Sequence, residues 1–281
     1  MPAPPRTLLL YDGSRRDLAE RAQALTPVIE AQLDVVGVDS DLEPPFKSHD
    51  AELVIAMGGD GTMLRSARLM GREQLPLLGV NLGKLGFLAG INPEQLDDVL
   101  PEIVERRYRL VDHLMIECSL VSGGETKRTV LGVNEAMVNA GEPFRMIHVQ
   151  LRIDGVLAAT YPCDGVLVST PVGSTAHNLS IGGPILSKRI QALVVSAVSP
   201  HTLTVRPVVD SADRVYELSV VDPNPGTSIL VDGQMIGPLG EGDVLRVERS
   251  PAVLQLVETP GQTYYQTLRE KLGWARGPSE K

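Results

Sequence analysis

The run Gly58-Gly59-Asp60-Gly61-Thr62 sets a carboxylate among three glycines, directly after the apolar stretch LVIAM and before the helical pattern MLRSARLM. Glycines that follow a strand let backbone N–H groups approach an anion closely, and the next helix adds the positive end of its dipole. A phosphate suits such a turn. A carboxylate there repels the ligand unless it takes a proton, orients a hydroxyl or helps to hold Mg²⁺. Asp60 is therefore a candidate general base beside a phosphate cradle of Gly58, Gly59, Gly61 and Thr62; the alternative is a tight strand-to-helix turn with no ligand.

Two further constellations could carry chemistry. In DGVLVSTPVGSTAHNLSIGGP (164–184) the hydroxyls of Ser169, Thr170, Ser174 and Thr175 crowd the end of a strand, as in a pocket that grips a base and a sugar edge. The bland alternative is a Ser/Thr-rich turn that caps a helix. In VNEAMVN, Asn134 and Glu135 fall in an apolar strand, where an amide and a carboxylate are costly unless they are paired or face a ligand. A hairpin edge is the other reading.

Common alternatives lack their motifs. The dinucleotide fingerprint G-x-G-x-x-G started at Gly59 fails at Leu64, and no G-x-x-x-x-G-K-[ST] or G-x-S-x-G run exists. The five histidines show no metal spacing, and Cys118 and Cys163 are too few for a disulfide framework or a zinc site. No protein metal site is expected.

These residues need elements to position them. TLLLYDG, LDVVGVD, LVIAMG and LPLLGVN read as strands, the middle two without alternation, as doubly buried parallel strands demand. Leu18, Ala22, Leu25 and Ile29 have helical spacing, and a short helix after GGDGT ends at Gly71. Asn92 and Pro93 open another helix, which Pro101, at a cost of about 3 kcal/mol, should kink or split. From about residue 110 short alternating runs take over, two of them pivoting on Asp154-Gly155 and Asp232-Gly233, the pairing of two-residue hairpins. The expected fold is thus α/β plus all-β, with a Rossmann-like α/β domain at 1–110, a β-rich, sandwich-like domain at 111–258 and a C-terminal segment, 259–281, that packs back on the first domain.

The 281 residues suffice for two domains with their own cores. A net charge of −9 opposes binding to nucleic acid, and no apolar run is long enough to span a membrane. The start MPAPPRT lacks the features of a secretory signal, so the expected location is cytoplasmic.

In order along the chain, GGDGT, NLGKLGFL, VNEAMV, DGVLVSTPVGSTAHNLSIGGPI, SPHTLTVRP, VDGQ and YYQTLREKLGW resemble the NAD kinases over nearly the whole length. GGDGT alone is shared with lipid kinases of the wider superfamily; the STPxGSTA-xx-LSxGGP stretch is more specific. The resemblance implies phosphoryl transfer from ATP, or polyphosphate, to the 2′-hydroxyl of the adenosine ribose of NAD, giving NADP. It implies an active site between the two domains, with Asp60 as base and the Gly58–Gly61 backbone and Mg²⁺ holding the donor phosphates. It further implies nucleotide contacts from Gly61 and Arg65, contacts to the adenine and ribose region from Asn134 and Glu135, and Phe87 closing over the reacting ribose. Asp164, the segment Thr175, Ala176, His177, Asn178 and Ser180, and Gln234 match further substrate positions, and Arg145 would serve a neighbouring subunit's ligand in a homodimer or homotetramer. His177 stands where tyrosine is common, Asp112-His113 replaces a frequent Glu-Arg pair, and Pro162 stands where many members have a basic residue. A GGDGT-type lipid kinase and a non-catalytic NAD(H)-binding regulator are the rival readings.

Overall fold

A computed structural model describes residues 3–84, 86–259 and 264–274. Leu85 of the LGKLGFL run, and residues 260–263 and 275–281 of the expected returning segment, lie outside the described residues. The chain divides into two compact units, Met1–Asp112 with Leu254–Lys281, and His113–Val253.

The first unit runs β1 (Arg6–Tyr11), α1 (Arg16–Glu30), β2 (Asp34–Asp39), β3 (Leu53–Gly58), α2 (Asp60–Met70), β4 (Leu77–Asn81) and α3 (Leu96–Val104). The strands pair in parallel in the order β2-β1-β3-β4. Every residue of β3 and β4 is buried, because helices cover both faces. Leu9, Leu53, Ile55 and Leu78 pack with Leu18, Ala22 and Ile29 of α1 and Leu96, Leu100 and Ile103 of α3. On the other face Gly79 lies against Met63 of α2, where a side chain would find no room.

β2 departs from the expected double burial: it has one strand neighbour and no fully buried residue. Its apolar run does not distinguish a central strand from an edge. α2 begins at Asp60 itself rather than after Thr62, with Gly59 as its N-cap. At α3, Asn92 and Gln95 form a capping box around a 3₁₀ turn, Pro93–Gln95. Pro101 neither splits nor ends α3. The carbonyl that it leaves without an N–H belongs to Asp97, an exposed residue that water can reach.

The chain continues through β5 (Arg109–Ser122), β6 (Glu125–Gly132), β7 (Glu135–Asn139), β8 (Ile147–Ile153), β9 (Val156–Cys163), β10 (Gly165–Ser169), α4 (His177–Ser180), β11 (Ala192–Val198), β12 (Val208–Ser211), β13 (Tyr216–Val220), β14 (Ser228–Val231), β15 (Gln234–Pro238) and β16 (Val244–Glu258). In the second unit β12-β11-β10-β7-β14-β15 form an antiparallel sheet. It shares one core with strands β16, β13, β8 and β9: Ala136, Val138, Val166, Val168, Leu193 and Val195 meet Val149, Leu151, Tyr216, Leu218, Leu245 and Val247. Alternate residues of each strand point into that core, which is the sandwich pattern. The Asp-Gly hairpins have the expected left-handed backbone, with φ of 49° and 78° at Asp154 and Gly155 and of 47° and 75° at Asp232 and Gly233. Cys118 and Cys163 are buried free thiols.

The runs VLRVERS and VLQLVE form one strand, β16, and the first unit resumes within it at Leu254 rather than after residue 258. Leu256 pairs in parallel with Leu77 of β4. α5 (Tyr264–Leu272) belongs to the first unit, and the Lys271 ammonium lies 4.3 Å from the centroid of the Phe87 ring. Among the described residues no helix is long and apolar enough to cross a membrane.

Candidate active site

In the first unit the chain passes from β1 to β2 on one side and reaches β3 on the other. The carboxyl ends of β1 and β3 therefore flank the crevice where open α/β sheets bind ligands. GGDGT leaves the end of β3 there, and Asp12-Gly13-Ser14 leaves the end of β1.

The glycines of the turn divide by what they leave room for. A Cβ on Gly58 would lie 2.1 Å from Thr62 Oγ1, so this glycine is required by the fold. A Cβ on Gly59 or Gly61 would meet nothing within 4 Å, and neither has a positive φ. The fold does not need glycine at these two positions, yet both open the first turn of α2, where the Asp60 and Gly61 amides have no intrahelical partner. A side chain at either position would enter space that the glycines leave open.

Asp60 is held firmly. Its Oδ2 accepts the Phe87 N–H at 2.7 Å, and its Oδ1 accepts those of Leu88 at 2.9 Å and Ala89 at 3.3 Å. A carboxylate offers about four acceptor positions, so these three bonds leave one, on Oδ2. Gly86 makes the approach feasible: a Cβ there would sit 2.0 Å from Asp60 Oδ1. Asp60 and the Phe87 backbone amide are thus brought together.

Arg65, one turn along α2, is committed to protein acceptors. It reaches Asp12 Oδ2 at 3.3 Å, Asp41 O at 2.7 Å and Glu43 Oε1 at 3.0 Å. Asp12 is held below its ordinary carboxyl range first by the Ser14 hydroxyl, which donates at 2.6 Å, and further by Arg65. Sequence reasoning passed over Asp12; its position at the end of the first strand was the available signal.

In the second unit β7 lies between β10 and β14, so the hairpin-edge reading of Asn134 and Glu135 does not apply. Glu135 stands opposite Ser169 in register, on the face of the sheet away from the shared core. Asp232, 97 residues later, accepts the N–H groups of Val133, Asn134 and Glu135 through its carboxylate, at 2.7–3.2 Å. Its Asp-Gly signal indicated a turn and gave no sign of this second use. Glu135 is 7% exposed and its Oε2 is buried with no hydrogen-bond partner among the described residues. Burial, with the Asp232 charge adding, pushes its carboxyl from 4.5 up to about 8.

The hydroxyls of the 164–184 segment do not line up as free donors. Ser169 donates to Thr170 O, Thr170 to Val133 O, Ser174 to Pro171 O and Thr175 to Val172 O. They fix the turn against the Asn134 backbone, so closely that a Cβ on Gly173 would lie 2.0 Å from Asn134 O. Asn178 is fully buried. Its amide donates to Ser174 O and Pro184 O and accepts from the Ser196 hydroxyl, which fixes the same segment. His177 and Ser180 are exposed on α4, with Ala176 half-buried before them, and Gln234 is exposed two residues after Asp232.

Asp164 and Arg145 lie elsewhere. Asp164 precedes β10, whose Gly165 pairs with Asn139 while Ser169 pairs with Glu135. Five strand residues at about 3.3 Å each put Asp164 roughly 17 Å from the Ser169 end. Arg145 is exposed on the β7–β8 connection, and Ala140, which opens that connection, donates its N–H to Asp164 O.

A doubly wound unit with an open glycine turn, joined to a β-sandwich that carries a buried orphan carboxyl, is the build of a nucleotide-dependent kinase. Residues 12–108 match the ATP-NAD kinase N-terminal domain and residues 133–259 the ATP-NAD kinase C-terminal domain. The chain is 45% identical over 272 residues to an NAD kinase of Rhodopirellula baltica, covering 97% of this chain and 88% of that one. It is 40% identical over 228 residues to an NAD kinase of an Azoarcus species, covering 81% and 77%. A solved NAD kinase of Archaeoglobus fulgidus in complex with ATP superposes with a TM-score of 0.73 at 25% identity, over 95% of this chain and 97% of that one. Yeast NADH kinase complexed with NADH shares the fold, with a TM-score of 0.87 at 22% identity over 99% and 90%. The chain belongs to the NAD kinase family.

Proposed function

We propose that this protein transfers the γ-phosphoryl group of ATP to the 2′-hydroxyl of the adenosine ribose of NAD⁺, with Asp60 as the general base. The observation that carries the reading is the Asp60 carboxylate, fixed by three amides with one acceptor position left beside the open Gly59 and Gly61. The hydroxyl oxygen attacks the γ-phosphorus, the bond from phosphorus to the β,γ-bridging oxygen breaks, ADP departs and the hydroxyl proton passes to Asp60. The amides at the start of α2 hold the phosphates. Among the described residues no three His, Cys, Asp or Glu side chains converge on a metal position. Mg²⁺ would therefore be held mainly by the donor phosphates and water, which suits its chemistry, and would neutralise charge there. Polyphosphate is the alternative donor.

In the second unit Asn134, Glu135, Ser169, the 175–180 segment and Gln234 would receive the nucleotide acceptor, the Glu135 Oε2 gaining the partner that it lacks. Arg145, exposed on the β7–β8 connection, would serve a neighbouring subunit's ligand and Asp164 a further position of the substrate, so the proposal includes a cytoplasmic homodimer or homotetramer.

The test is NADP⁺ formation from NAD⁺, Mg²⁺ and ATP, followed with a coupled dehydrogenase, with NADH and polyphosphate in parallel wells. Asp60→Asn is expected to lower kcat by roughly 10²-fold or more. Unchanged turnover in that variant removes Asp60 as base; binding without turnover in the unmodified protein favours a regulator, and phosphorylation of diacylglycerol or sphingoid bases in vesicles a lipid kinase.

A further inference from the structure

The loop that carries Phe87 to Asp60 is fastened at both ends. At its start the Leu82 N–H donates to Gly58 O at 3.1 Å, the Gly83 N–H to Asn81 Oδ1 at 3.0 Å, and the Arg21 guanidinium to Leu82 O. At its far end Ile91 lies beside β4: the Asn81 N–H donates to Ile91 O at 2.7 Å and the Ile91 N–H to Gly79 O at 3.2 Å. Between those ties the N–H groups of Phe87, Leu88 and Ala89 meet the Asp60 carboxylate. The Phe87 bond, at 2.7 Å, is the shortest of the three and falls on Oδ2, the oxygen with an acceptor position left.

The Phe87 ring is met by a later part of the same unit, α5. Leu268 of this helix is 3% exposed, with Tyr264 half-buried one turn before it. Positions 264, 268 and 271 share one face of a helix, so the packing that docks α5 also aims Lys271 at the loop. Its ammonium lies 4.3 Å from the Phe87 ring centroid, inside the roughly 6 Å within which a ring face attracts a cation. A cation in the last turn also meets the negative end of the helix dipole, which Arg269 does equally. What sets Lys271 apart is the ring.

We propose that Lys271 is a positioning residue for phosphoryl transfer: it pins the Phe87 ring and, through the Phe87 peptide, keeps the loop amides on Asp60. Ring and N–H belong to one residue, so fixing the ring leaves the backbone fewer rotations that carry the N–H off Oδ2. Lys271 acts through Phe87 and Asp60, and its loss is therefore felt in the step that moves the proton. The inference deepens the kinase reading and rests on it.

The experiment compares Lys271→Gln, Lys271→Arg and Arg269→Gln with the unmodified protein, and repeats Lys271→Gln in a Phe87→Leu background. Lys271→Gln is expected to lower kcat by about 2- to 5-fold, the effect of one exposed cation over a ring, with the KM for ATP unchanged. Lys271→Arg keeps the cation and is expected to retain kcat; Arg269→Gln removes a last-turn charge away from the ring and is expected to leave kcat intact. Beside Phe87→Leu, Lys271→Gln is expected to add nothing, as two residues that act as one pair require. Hydrogen exchange in the peptide spanning 86–89 reads the same loosening without turnover, as a rate increase of about 2- to 5-fold in Lys271→Gln alone. It decides whether Lys271 holds the loop even if no donor phosphorylates NAD⁺, the result by which the kinase reading fails by itself. Lys271→Gln matching Arg269→Gln in kcat and exchange, or its full loss of kcat persisting beside Phe87→Leu, overturns the proposal, and so does faster exchange with kcat intact.

Discussion

Glu135 is a carboxyl whose surroundings favour its neutral form. Asp232 supplies a negative charge close by, the sheet supplies burial, and Oε2 has no donor among the described residues. In the unfolded chain the group ionises near 4.5, and in the folded chain near 8. Between those values the folded state holds a proton that the unfolded state has lost, so stability is fully present below 4.5 and falls as pH rises toward 8. The swing is on the order of a few kcal/mol. Glu135→Gln removes the titration, and its melting temperature is expected to gain on that of the unmodified protein from pH 5 to pH 8 and then keep a constant lead. A lead that does not change with pH would place the proton elsewhere. Asp60 is held by three amides, so Asp60→Asn turns one acceptor into an NH₂ group facing an N–H donor. A lower melting temperature is expected beside the lost turnover.

At the scale of the element, the strand-to-helix turn separates two kinds of glycine. Gly58→Ala forces Cβ onto Thr62 Oγ1 and is expected to destabilise the first unit. Gly61→Ala meets empty space within α2, where alanine favours helix by about 0.5–1 kcal/mol over glycine. The variant should therefore melt higher and yet turn over more slowly, because its methyl group occupies the cradle. Full activity in a stabilised Gly61→Ala protein would falsify the cradle. The segment 170–186 is the matching device of the second unit: its hydroxyls and the Asn178 amide face inward, so it serves first as a rigid shelf. A hydrophobic replacement of Asn178 is expected to cost stability before it alters substrate affinity, with melting curves and KM for NAD⁺ as the two measurements.

For the molecule as a whole, several large apolar side chains of the second unit are exposed, Leu203 at 91%, Phe144 at 76% and Met235 at 65% among them. Phe144 adjoins Arg145, and the edge strand β12 turns Val208 and Val209 outward. Scattered exposed residues are ordinary, but Val208, Val209 and Met235 lie on the edge strands β12 and β15, where a second copy can pair. Sedimentation is expected to give a dimer or tetramer. Arg145→Ala should leave that mass unchanged and raise the KM for NAD⁺; a monomer with full activity would exclude shared sites.

The sequence by itself determined what depends on neighbours a few residues apart. The glycine turn after an apolar strand, the N-cap at Asn92 and the Asp-Gly hairpins were all legible, because backbone sterics and period set them locally. Tertiary structure alone decided what strand order and register control. It made β2 an edge, carried Asp232 to the amides of residues 133–135, set Gly86 against Asp60 and parted Asp164 from Ser169 by the length of β10. Such pairings join residues tens of positions apart. No local pattern records them, since a strand reads the same whichever neighbour it finds.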